Sequence, residues 1–132
     1  PGAPFPIMMK SARFSMPTVP EELRLAKGGA TLTVTFAGTA YPLAAEYLRV
    51  CSPSAEVRNH GGAWTLVAGR RKVLIRRVEP VGSYAVRLYF SDGHHTGIYT
   101  WETLHDLAVN ADDYWQRYLH ALAAGGKTRD EK

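Results

Sequence analysis

The chain has 132 residues, 45% of them hydrophobic and 21% charged, with a formal net charge of +4. That length suits one domain, able to bury about 68% of its unfolded surface and so to fold without metal or disulfides. The single cysteine, Cys51, excludes an internal disulfide and a Cys-x-x-Cys zinc knuckle, and no apolar run approaches the roughly 20 residues of a membrane span.

Taken in order, residues 1–20 are rich in proline, at positions 1, 4, 6, 17 and 20, and lack a basic-then-apolar signal pattern. They read as a flexible arm leading into a domain over 21–125. Glu22 to Lys27 alternates, with Leu23 and Leu25 inward, and Gly28-Gly29 turns the chain. Thr31–Phe36 is a clean strand with Leu32, Val34 and Phe36 on one face. Ala40–Leu43 is a third short strand. Ala44–Val50 reads as a short helix that stops before Pro53, because the residue preceding proline avoids helical angles. Ser52 then reads as the cap of a fresh helical turn through Glu56, with Pro53 at its first position.

Asn59–Gly62 is a loop, and Trp64–Ala68 and Lys72–Glu79 read as strands about a Gly69-Arg70-Arg71 turn. In the next strand Val86, Leu88 and Phe90 share a face. Asp92-Gly93 is a strong turn pair, and a second turn lies near Thr96-Gly97. Thr100 is placed to cap a helix in which Trp101, Leu104 and Leu107 share a face, with Glu102 in the first turn. Asn110 restarts a helix carrying Tyr114, Trp115, Tyr118, Leu119 and Leu122, which Gly125-Gly126 ends. Residues 126–132 form a charged tail. The expected fold is α+β: a small antiparallel sheet, a short helix between strands, and C-terminal helices packed on the sheet.

Three blocks, Tyr47–Glu56, Glu79–Val86 and Asp92–Trp101, in this order and spacing resemble the gamma-butyrobetaine hydroxylase-like N-terminal domain family over roughly residues 20–109. The resemblance implies a domain that stands alone in bacteria, precedes the oxygenase domain of carnitine-synthesis hydroxylases, or sits beside ATPases carrying iron–sulfur clusters. It also implies zinc-ligand positions, which fall here on Ser52, Ser54, Val57 and His94. Two serines and a valine do not replace thiolates, so that zinc site is expected to be lost.

No catalytic function is expected. None of the histidines at 60, 94, 95, 105 and 120 begins a His-x-Asp or His-x-Glu motif, as an iron facial triad would favour. Gly126-Lys127-Thr128 imitates the end of a phosphate loop, but Ala121 stands where the earlier glycine belongs. The leading expectation is a non-enzymatic, cytoplasmic adaptor without cofactor or membrane attachment. Its protein-binding surface would draw on Arg49, Ser52, Ser54, Glu56, Asp92, His94, His95, Thr96 and Tyr99. A first alternative is a zinc or iron site using His94 with Cys51, His60 or His95, although neighbouring side chains such as His94 and His95 diverge in extended chain. A second is weak nucleic-acid binding through Arg70, Arg71, Lys72, Arg76 and Arg77, a run expected instead to be a solvated strand end.

Overall fold

The structure is a computed structural model that describes residues 19–53, 66–95 and 97–130. The predicted class holds, but the strands divide between two three-stranded antiparallel sheets. The first is a meander of β1 (Glu22–Leu25), β2 (Thr31–Phe36) and β3 (Thr39–Ala44). Alternation in β2 buries Leu32, Val34 and Phe36, while the threonines between them are half-buried. Ala37 and Gly38, both at positive φ, close the tight β2–β3 hairpin.

Helix α1 (Ala45–Val50) follows β3 directly, with all six residues buried. Six residues are too few to be stable alone, so tertiary packing holds this helix. The Tyr47 hydroxyl donates to the carbonyl of Leu107 at 2.6 Å. The sequence predicts a fresh helical turn over Ser52–Glu56. Ser52 and Pro53 are not helical, and the rest of that turn lies outside the described residues.

The second sheet comprises β4 (Ile75–Val81), β5 (Ala85–Phe90) and β6 (Ile98–Thr100). The strand expected from Lys72 begins at Ile75, and Leu66–Ala68 is not a strand, its other predicted residues lying outside the described ones. A joint connects the two sheets: the Ile75 amide donates to the Gly29 carbonyl at 2.8 Å. Gly29 has φ 85°, and a Cβ there would overlap the Ile75 carbonyl, so a side chain is excluded on both counts.

Helix α2 (Trp101–Val109) touches β2, β3 and β6, so it covers both sheets. Its predicted cap is present: Thr100 Oγ1 accepts from the Thr103 amide at 3.1 Å. Helix α3 (Ala111–Ala124) restarts at Asn110, but not by an Asn side-chain cap. Asn110 instead donates back to the Asp106 carboxylate, at 2.9 Å. Tyr114 and Tyr118 are fully buried, with hydroxyls donating to Asp106 and to the Val67 carbonyl. This aromatic stripe is core. No helix among the described residues is long and apolar enough to cross a membrane.

The charged tail is part of the packed molecule as far as residue 130. Gly69 and Arg71 amides donate to the carbonyls of Thr128 and Arg129, each at 3.0 Å. The Arg129 guanidinium grips Glu46 through two bonds of 2.7 and 2.8 Å and lies over the Trp115 ring.

Candidate functional site

The turn from β5 toward β6 meets the C-terminal end of α1 at a buried polar cluster. Gly93, at φ 93°, supplies the conformation the turn requires. The Asp92 side chain caps the turn by accepting from the His94 amide at 3.1 Å, an Asx-type bond back to the local backbone. The Phe90 amide donates to the His94 carbonyl at 3.0 Å and closes the loop. This local chemistry aims His94 inward and leaves His95 outside.

His94 is buried, and its Nε2 lies 2.9 Å from Ser52 Oγ. Gly97 lets the two segments approach, since a Cβ there would overlap Ser52 Oγ and crowd Pro53. Arg49, from the last turn of α1, donates through Nε to Asp92 Oδ2 at 2.8 Å. Arg70 Nε lies 2.7 Å from the same oxygen, without hydrogen-bond geometry, so its attraction is mainly Coulombic. Burial raises the Asp92 pKa, but the His94 amide, Arg49 and Arg70 outweigh it and hold the carboxyl below its ordinary value.

His95 is exposed and packs flat against Tyr89, with ring centroids 5.5 Å apart and planes 3° from parallel. Arg77 also lies over Tyr89, 4.8 Å from its centroid, and Tyr89 donates to Glu79 at 2.8 Å. The stacked rings, a guanidinium and a carboxylate thus share the exposed side of β4 and β5. The period-two alternation of β5 already put Tyr89 opposite the core face, but the His95 stack depends on the turn and had no signal in the sequence.

The expected partner surface is only partly a surface. Arg49, Ser52, His94 and Tyr99 are buried and cannot be presented as proposed. Tyr99 donates its hydroxyl to the Leu48 carbonyl at 2.6 Å and serves as a core strut. Asp92 and His95 reach solvent, while Ser54, Glu56 and Thr96 lie outside the described residues. Ser52 is a buried partner of His94, and the turn it is expected to cap lies outside the described residues.

The zinc positions implied by the family resemblance are brought together at Ser52 and His94, and Ser54 and Val57 lie outside the described residues. The donors do not fit zinc. A neutral hydroxyl occupies a thiolate position, and the neighbouring Arg49 guanidinium repels a cation. Among the described residues no group of three or more His, Cys, Asp or Glu side chains could hold a metal ion. Cys51 is fully buried, and burial pushes its thiol pKa up, which disfavours a thiolate ligand. His60, the remaining residue of the metal alternative, lies outside the described residues.

The basic run is largely consumed within the molecule. Arg70 pairs with Asp92, Arg71 with Asp130 at 2.5 Å, and Arg77 with Glu79 at 2.6 Å. Lys72 and Arg76 are exposed. Neighbouring strand residues ordinarily face opposite ways, but a register shift falls between Ile75 and Arg77, and Arg76 and Arg77 are both exposed. Partnered arginines have less to offer a phosphate backbone.

Comparison with known proteins agrees with this architecture. One solution structure determined by NMR is 44% identical, with a TM-score of 0.78 over 87% of this chain and 92% of its own. A second NMR structure is 39% identical, with a TM-score of 0.75 over 96% of this chain and 92% of its own. A crystal structure of a protein of unknown function from Acidithiobacillus ferrooxidans, of the DUF971 family, is 42% identical, with a TM-score of 0.58 over 71% of this chain and 98% of its own. No curated protein matches. The family model for "Gamma-butyrobetaine hydroxylase-like, N-terminal" matches residues 23–105, which spans both sheets and the buried Ser52–His94 contact. The chain therefore belongs to the gamma-butyrobetaine hydroxylase-like N-terminal family.

Proposed function

We propose that the chain is a non-enzymatic binding module that presents the Ser91–His95 turn and the adjoining Tyr89 face to a protein partner. The supporting observation is the His95–Tyr89 stack, carried on a turn tied down from beneath by Asp92, Arg49 and the Ser52–His94 contact. A turn ordered before binding loses less entropy on docking, and a half-buried Tyr beside exposed Arg and His side chains combines apolar area with hydrogen-bonding tips. The family takes its name from an N-terminal portion of hydroxylase-like proteins, a position suited to an accessory domain. A hydroxylase-type or iron–sulfur protein is accordingly the first partner to test. The lone unpaired cysteine accords with a reducing compartment such as the cytoplasm.

The test is affinity capture with the purified chain, followed by titration calorimetry with the captured protein in pure form. Replacing both Tyr89 and His95 by alanine should weaken that binding at least about tenfold, as removal of a central aromatic anchor does. The dispersed amide spectrum should persist. Undiminished affinity in a folded double variant would overturn the proposal.

A further inference from the structure

The outward face of the β4–β6 sheet carries a guanidinium that no described residue matches. Alternation in β5 turns Arg87 and Tyr89 away from the core that Val86, Leu88 and Phe90 enter. In register, Arg87 stands between Glu79 of β4 and Ile98 of β6, at the centre of that face. Opposite charges facing each other across antiparallel strands attract, so Glu79 is its natural partner. Both oxygens of Glu79 are already taken. Oε2 holds Arg77 Nη2 at 2.6 Å, and Oε1 accepts from the Tyr89 hydroxyl at 2.8 Å. The Tyr89 bond, opposed by burial and joined by the charges of Arg77 and Arg87, holds the Glu79 carboxyl below its ordinary pKa.

Arg87 therefore feels Glu79 only through its field. It makes no ion pair or hydrogen bond among the described residues, and its Nε is buried without a partner. A buried cationic donor left unmatched is costly, and a carboxylate supplies both the charge and the acceptors it lacks. Ile98 and Tyr89, its neighbours on the face, are half-buried and give the charge apolar surroundings. We propose that the partner segment received on this face is acidic, one carboxylate pairing with Arg87 while an adjoining apolar side chain lies on Ile98 and the Tyr89 ring. This adds to the docking reading, on which it rests, the chemistry of what docks. A nucleic acid fits less well, because holding a phosphate backbone takes a run of unpaired cations, and Arg77 beside Arg87 is already paired with Glu79.

The experiment is a fluorescence-anisotropy titration of the purified chain at low salt against three labelled probes: a peptide of alternating glutamate and leucine, its lysine–leucine counterpart, and an oligothymidylate. Saturable binding of the acidic peptide is expected, with none of the lysine peptide. Arg87→Gln should weaken it about tenfold, the worth of one charge-assisted hydrogen bond. Arg87→Lys should fall between, since a point charge lacks the guanidinium fork. Glu79→Gln, which removes the competing carboxylate, should tighten binding, and Arg24→Gln on the other sheet should leave it unchanged. In NMR the peptide should shift the Arg87, Tyr89 and Ile98 amides. The acidic segment is refuted by no saturable binding of its peptide, by tighter binding of oligothymidylate, or by equal affinity in the parent and a folded Arg87→Gln. Should Arg87→Gln lose its fold, affinity unmoved in both Arg87→Lys and Glu79→Gln refutes it instead. Capture of the partner protein lost in the Tyr89 and His95 double variant but intact in Arg87→Gln would keep the docking face and reject its acidic occupant.

Discussion

The two sheets have the same three-stranded antiparallel topology and are held by different forces. In the β1–β3 sheet the alternation of β2 puts Leu32, Val34 and Phe36 into the core, and its charged residues sit on the outside. The one ion pair within that sheet, Arg24 with Glu22, is more than half exposed on both sides. The β4–β6 sheet buries Val86, Leu88 and Phe90 in the same way, but its turn carries a charge network anchored on a nearly buried arginine. Equal topology does not mean equal function. The first sheet is a packed scaffold, and the second carries a buried polar network beneath a solvent-facing turn.

Truncating the scaffold should have the largest effect. Leu32→Ala, at a site with no exposed surface, should cost about 4 kcal/mol of unfolding free energy in denaturant titration. The contrast between sheets would break if that variant disturbed the Asp92 turn as much as the hairpin in amide exchange.

Asp92→Asn comes next. It leaves the Arg49 guanidinium buried without its counter-charge, at a cost of about 3 kcal/mol at neutral pH. Exchange should quicken first at the Phe90 and His94 amides. The folded-state pKa of Asp92 lies below its ordinary value, so its stabilisation is complete above the unfolded pKa of about 4 and is lost as pH falls through the lower folded value. The gap between parent and variant should hold from pH 7 to about 5 and close in stronger acid. A gap that widened on acidification would show that the network is not held by the Asp92 charge.

Arg24→Gln should do least. An exposed pair on a strand contributes little and fades with salt, so the variant's thermal midpoint should sit close to the parent's. A large loss there would erase the distinction between the sheets.

Much of the fold was legible in the chain because the signals were local. The alternation of Thr31–Phe36, the Thr100 cap and the Asp92-Gly93 turn each depend on residues a few positions apart. The site was less legible because its chemistry is long-range. Arg49, Ser52, His94 and Tyr99 are polar types next to turns, which suggests exposure, yet all are buried against segments more than forty residues away. Asn110 shows the same limit on a smaller scale: its position marked the helix break, while the bond it makes runs backward to Asp106.

By itself the sequence determined most element types, the apolar faces and the family, because hydrophobic period, turn chemistry and motif spacing are properties of neighbouring residues. The tertiary structure alone decided that the strands split into two sheets joined at Gly29, and that the Ser52 and His94 side chains meet. It also decided that the 127–130 segment folds back to form a cleft. Those outcomes depend on which buried donors and charges find partners across the chain, and burial makes each unmatched group costly enough to choose among folds that local preference leaves equal.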